Sequence, residues 1–324
     1  MDHHALHPPP PSAGSVTPAD SRSAGFVLAI VAWLFSAGVY IAVKWAADDM
    51  PPWAMTFWRV SVAGIVLVPL VARQLREIVA AWRAHPVGVV FVGTMGLCLS
   101  QGFMFTALTY TNAINAGIIF AASPLLIAIL AVPVLGESLR VVQVLAAIVA
   151  LLGTVVVACR GDPEVLATLD LNQGDVWALG SAVCFACYTV LLRRLKLALS
   201  GLPLLVLMLA SASLVSAPLY LWELAREGAS AISHRGFVAV AYAAIPGGAL
   251  MYYLYNRSVV ALGASTAGVA FYLQTVYIII LADALLGERL APYHFAGIAL
   301  IVAGVVAFTW AKAKRKEPAG ASQT

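Results

Sequence analysis

Long apolar stretches and short polar breaks alternate along almost the whole chain. From Gly25 onward the pattern predicts ten helices, over residues 25–45, 52–71, 86–108, 112–135, 139–159, 175–195, 202–222, 236–257, 264–286 and 291–311. Each is close to the ~20 apolar residues that carry a helix across the hydrocarbon core of a bilayer. The breaks are short and punctuated by Pro51-Pro52, Gly136, Gly161, Gly201 and Gly287. Residues 1–24, rich in Pro, Ser and His, are expected to form a disordered tail, and residues 313–324 a second short one. No basic region abuts a short apolar core with a small-residue cleavage site, so no removable signal peptide is expected.

The apolar pattern repeats itself. The run from Tyr110 to Leu139 returns 151 residues later as Ala261 to Leu290, with 12 of 30 positions identical. Early matches such as Ala113/Ala264, Ala116/Ala267, Gly117/Gly268 and Phe120/Phe271 step by three or four and share one helical face. Near the same offset Gly96 meets Gly247, Gln101 meets Tyr252 and Gly136-Glu137 meets Gly287-Glu288, while Lys44 meets Arg193 at 149. The chain therefore divides into a first five-helix repeat over 25–160, a linker over 161–174 and a second repeat over 175–312. Because five is odd, the second copy must enter the membrane from the other side. The expected fold is an all-α integral membrane protein of ten transmembrane helices, two inverted repeats around a central cavity.

Composition agrees with that class. Of 324 residues, 62% are hydrophobic and 10% charged, with a mean hydropathy of +0.92, whereas soluble domains carry about 25% charged residues. Placing the N-terminus inside gives 13 Lys and Arg on the cytoplasmic side and 5 on the other, with Arg59 left inside a helix. Positive-inside bias thus puts both termini in the cytoplasm. The four cysteines lie in or beside apolar segments. Cys184 and Cys187 form a CxxC without further ligands to complete a zinc shell, and read as small apolar fillers.

Several of these features occur together in one known family. The first helix runs from Trp33 to Lys44, and Arg59 lies in the second. The YTNAINAGIIFAASPLLIAILA run ends in GESL at Gly136 to Leu139, and its counterpart ends in GERL. FACYTVLLRR spans Phe185 to Arg194, and Tyr255-Asn256-Arg257 follows. As a set, over residues 25–312, they resemble the EamA-type branch of the drug/metabolite transporter superfamily. The resemblance implies a permease of the bacterial inner membrane, usually an exporter of amino acids or related metabolites.

Candidate substrate-binding residues are Trp33, Tyr40, Gln101, Tyr188, Tyr252, Asn256 and Gln274. Trp33, Ala37, Tyr40 and Lys44 make one face of the first helix, which lines an aromatic cavity with a cation at its mouth or else forms a packed seam with Lys44 snorkelling outward. Gln101, Asn115 and Gln274 are uncharged polar groups in apolar helices, so each needs a partner, water or substrate. Asn115, near a helix start, reads better as an interhelical hydrogen bond and Gln274 as a substrate contact. Pro124 and Pro246-Gly247-Gly248 lie near helix centres, where they kink the helix and expose carbonyls for gating or simply allow close packing. Arg59 meets an acidic group of the substrate, pairs with Asp48 or Asp49, or snorkels. Glu137 and Glu288 follow the glycines that end their helices and read as caps on the next helix start.

The functional expectation is a secondary-type carrier of small organic metabolites working by alternating access. Its partners are a small-molecule substrate and the lipid bilayer, with no nucleic acid. No metal and no cofactor are expected. An intramembrane lipid-modifying enzyme is the first competing reading, disfavoured because there is no paired acidic motif and no HExxH. A non-transporting sensor or assembly subunit is the second, disfavoured by short tails without a soluble domain.

Overall fold

The structure is a computed structural model. It describes residues 18–136, 141–158, 160–162, 164, 172–195, 197, 199, 201–228, 233–262 and 272–313. Glu137 lies outside the described residues, as do the side chains of Pro124 and Asn256.

All the regular elements described are helical. In chain order they are α1 (Pro18–Trp45), α2 (Pro52–Leu67), α3 (Leu75–Ala84), α4 (Pro86–Gly93), α5 (Ser100–Tyr110), α6 (Ala113–Phe120), α7 (Ser123–Leu135), α8 (Val141–Ala158), α9 (Gln173–Leu195), α10 (Gly201–Glu227), α11 (His234–Ala244), α12 (Met251–Leu262), α13 (Tyr272–Leu286) and α14 (Pro292–Ala313). Among the described residues, seven helical runs are long and apolar enough to cross a membrane. Proline opens α1, α2, α4 and α14, a position where its missing amide costs nothing. Two features differ from expectation. The first helix reaches back to Pro18, into the expected tail. After α2 a 3₁₀ stretch, Val68–Gln74, kinks at Val71, and α3 follows as a separate amphipathic helix that carries Arg76, Arg83 and Glu77.

Two of the runs contain a π turn, at Thr94–Leu99 between α4 and α5 and at Ile245–Leu250 between α11 and α12. These turns are 151 residues apart end to end, the same offset as the sequence repeat. Each carries a glycine against the first helix of the other half. A Cβ on Gly96 would run into the Tyr188 ring of α9, and one on Gly247 into Val39 of α1. The same exchange holds for whole helices. α1 packs on α12 and α13, while α9 packs on α5 and α7.

Equivalent helices of the two halves run antiparallel. Along α2 and α10, the Ala54 amide meets Glu223 at 2.7 Å, Ser61 Oγ meets Ser213 Oγ at 3.2 Å, and Gly64 faces Leu209. As one number rises the other falls. Likewise Gly153 of α8 sits against Ile301 of α14, and Val157 against Gly297. Two buried clusters fill the interior, one around α1, α6 and Phe105, the other around α2, Leu97 and Met208.

The helix contacts at small residues make a paired prediction. A Cβ at Gly297 would meet Val157 and lie 3.0 Å from the Gly153 carbonyl oxygen, whereas one at Gly64 has only Leu209 at 3.8 Å. Gly297→Ala is expected to destabilise the protein by about 1–3 kcal/mol through overpacking. Gly64→Ala should leave the thermal midpoint within about a degree of wild type, since ordinary van der Waals contact carries no such cost. Thermal unfolding in detergent, followed by tryptophan fluorescence, reads both.

Candidate functional site

The guanidinium of Arg59 is held near the middle of the bundle. Arg59 is 5% exposed. Its Nε donates to the Ala243 carbonyl at 3.1 Å and its Nη1 to Gln101 Oε1 at 2.7 Å. Its charge also lies 5.8 Å from the centre of the Phe105 ring. The sequence supplies each partner for a local reason. Gln101 and Phe105 are one turn apart on α5 and share a face. Ala243 lies just before the second π turn, where the regular helical ladder is interrupted, and its carbonyl accepts from Arg59. In the first half the 113–135 run breaks at Ala121-Ala122, and Pro124 falls in the first turn of the restarted helix α7.

Of the residues expected from sequence, Gln101 bonds Arg59, Tyr252 lines the cavity beside it, and Tyr40 shares a buried cluster with Phe105. Gln274 is 4% exposed, and its Oε1 has no hydrogen-bond partner among the described residues. Aromatic rings extend outward in a row. Tyr40 is 6.4 Å from Phe120, which is 5.4 Å from Phe185, which is 5.9 Å from Tyr188. Trp33 stands apart, edge-on to Tyr255 at 5.2 Å. Such spacings are those of favourable aromatic pairs. The group thus draws on α1, α2, α5, α6, α9, α11, α12 and α13, from both halves of the chain.

The expected open chamber is not what this conformation holds beside Arg59. The cavity lined by Arg59, Leu97, Leu205, Gly248 and Tyr252 has room for roughly one water molecule. The side chains of the site close on each other.

A second set of polar contacts gathers at one end of the bundle. Lys44 donates to the carbonyls of Leu108 at 2.8 Å and Thr111 at 2.9 Å, at the close of α5. A cation there offsets the negative end of the helix dipole. Glu223, buried near the end of α10, accepts from the amides of Trp53 at 3.1 Å and Ala54 at 2.7 Å, at the start of α2. Glu288 accepts from the amides of Ala113 at 2.8 Å and Ile114 at 3.1 Å, at the start of α6. Capping was the role expected of Glu288, but it caps a helix of the other half rather than its own next helix. That next start is served by His294, whose Nδ1 accepts from the Ala291 amide at 3.0 Å. The remaining ring nitrogen, Nε2, then carries the proton and donates to Asn115 Oδ1 at 2.7 Å. Asp175 completes the set, accepting from the Thr111 hydroxyl at 3.2 Å. Asp49 lies 3.9 Å from Arg235. Arg59 therefore has neither of its expected acidic partners.

Glu223, His294 and Asp175 were not singled out from sequence. Glu223 and His294 were detectable in principle, since antiparallel pairing of equivalent helices sets the end of α10 beside the Pro51-Pro52 helix start, and that of α13 beside Asn112.

Antiparallel helical halves of this length and apolarity, sharing one buried polar and aromatic centre, define a multi-pass integral membrane protein. The family model for the EamA-like transporter family matches residues 23–159 and again residues 172–310. The chain belongs to that family, within the drug/metabolite transporter superfamily, and is a transporter of that type. It is similar to an uncharacterized transporter, YyaM, of Bacillus subtilis (strain 168), at 26% identity over 84% of this chain and 89% of the relative. A second uncharacterized transporter of that organism, YetK, is 22% identical over 92% of this chain and 89% of its own length. A solved crystal structure shares the fold with a TM-score of 0.60, at 23% identity over 92% of this chain and 99% of that one.

The carboxylate caps carry their own prediction. Glu288→Ala leaves two amides at the start of α6 without an acceptor, a cost of about 1–3 kcal/mol. Glu288→Gln keeps one acceptor oxygen and should fall between. Thermal unfolding of the two variants should rank them in that order below wild type.

Proposed function

We propose that this protein is a secondary-type carrier that moves small organic metabolites, amino acids or related compounds, out of the cell by alternating access. The observation that carries the reading is the buried centre itself. Arg59, Gln101, Tyr40, Tyr252 and Gln274 come from both halves and are set in apolar helices where polar groups are expensive to keep. A purely structural bundle gains little from such a centre, because apolar residues of similar size would pack at lower cost. A carrier needs it, because the groups that bind cargo must sit where the two halves meet.

On this reading the chain forms ten spans as two inverted repeats, with both termini cytoplasmic, in a bacterial inner membrane. Antiparallel pairing of α2 with α10 and of α8 with α14 supports the inversion. The distribution of Lys and Arg supports the orientation, and the bacterial relatives support the membrane. Trp33, Tyr40, Tyr188, Tyr252, Asn256 and Gln274 would meet the cargo together with Gln101. The π turns and the break before Pro124 would supply the bending points. A cavity that holds about one water fits a closed resting form that must loosen to load.

The test is flux. Purified protein in liposomes should exchange a labelled amino acid across the bilayer faster than empty vesicles. Trp33→Ala and Gln274→Ala should each slow exchange about tenfold or more, the loss expected when a buried contact to cargo is removed, with the same amount of protein in the membrane. Exchange no faster than in empty vesicles across a broad metabolite panel would refute the carrier reading. Normal exchange by both variants would refute the site.

A further inference from the structure

Among the described residues, Arg59 is a buried cation without a buried anion beside it. No carboxylate among the described residues lies within ion-pair distance of it, and Asp49 is beside Arg235. Glu223, five residues back along the α2–α10 seam, directs its carboxylate to the amides of Trp53 and Ala54. What Arg59 does have is neutral: one carbonyl, one amide oxygen and the face of one ring. A guanidinium offers five N–H donors, and the described hydrogen bonds use only those of Nε and Nη1. Keeping an uncompensated charge in the apolar interior of a membrane protein is costly, and such charges are retained where a partner or a ligand completes them.

A second group nearby is incomplete in the opposite sense. Gln274 Oε1 is a buried acceptor with no donor among the described residues. Tyr40 shares a buried cluster with Phe105, the ring under Arg59, and its helix α1 packs on α13, which carries Gln274. One side therefore lacks an anion and the other lacks a hydrogen-bond donor.

We propose that the cargo carries a carboxylate, which Arg59 binds as its counter-ion, and a donor group on the same molecule that hydrogen-bonds to Gln274 Oε1. This rests on the carrier reading and narrows it. Arg59 becomes the residue that selects for the negative group. Gln101 and the Ala243 carbonyl become positioning groups that fix the plane of the guanidinium, leaving Nη2 to the ligand.

The experiment measures binding by ligand-induced thermal stabilisation of the purified full-length protein. The probes are 3-phenylpropionate, 3-phenyllactate and the carboxamides of both. Wild type should be stabilised by the acids and on the order of tenfold less sensitive to the amides, the ratio expected for a charge-assisted hydrogen bond. The hydroxyl of 3-phenyllactate should add affinity over 3-phenylpropionate. Arg59→Gln should lose the preference for acid over amide, and Arg59→Lys should keep part of it. Should Arg59→Gln fail to fold, the acid-against-amide comparison on wild type decides alone. Equal response to acids and amides, a preference that survives in Arg59→Gln, or no response to either acid would overturn the proposal. A 3-phenyllactate response no stronger than that of 3-phenylpropionate would overturn the role of Gln274. Preserved acid binding with no flux in liposomes would overturn the carrier reading, and the claim about cargo with it, and leave Arg59 as an acid-binding site only.

Discussion

The first amides and last carbonyls of a helix have no partner within it, and in a low-dielectric setting they must be given one. In this protein the partner often comes from the other half of the chain. Glu223 on α10 satisfies the start of α2, and Glu288 after α13 satisfies the start of α6. His294 of α14 closes on Asn115 of α6, and Asp175 of α9 on Thr111 after α5. Within the first half, Lys44 draws the end of α5 toward α1. Each contact joins charge or a strong dipole to backbone or side chain over a long sequence distance. Together they tie the two halves at one end of the bundle.

That arrangement follows from how the repeat folds. The π turns at 94–99 and 245–250 put equivalent glycines against the first helix of the opposite half, so α1 and α9 are exchanged between the repeats. Once α2 and α10 pair antiparallel, the end of one must lie beside the start of the other. The glutamate near the end of α10 is then placed to cap α2. The polar centre forms where these exchanged helices cross, which is why its members come from eight helices rather than one motif. The end-to-end ties and the central site are two results of one interlocked topology.

Much of this was legible in the sequence. The shared helical face of the two apolar runs, Ala113 to Phe120 and Ala264 to Phe271, announced the repeat, because a period of three and four survives wherever a helix packs. Buried polar residues such as Gln101 and Gln274 were legible because apolar neighbours make them conspicuous. What stayed hidden was direction and distance. Glu288 reads as a cap from its position after Gly287, but nothing local says that the capped helix begins 175 residues earlier. Glu223 sits in an ordinary helix end, and only the antiparallel register reveals its target. Arg59 had acidic partners or the interface open to it from sequence, and tertiary packing gave it Gln101 and the Ala243 carbonyl instead. The second helix closes near its expected end, at the kink about Val71, and the amphipathic α3 beyond it, with its arginines exposed, was too weakly apolar to stand out.

The central claim is that the halves move against each other, opening one end of the bundle as the other closes. Distances between spin labels test it directly, with one pair at Asp48→Cys and Arg289→Cys on the tied end and another at Arg83→Cys and Arg257→Cys on the far end, in lipid vesicles. The account predicts two populations for each pair, changing reciprocally, with Glu288→Ala shifting the first pair toward the longer distance and the second toward the shorter. A single fixed distance for both pairs, or two distances that lengthen together, would contradict it.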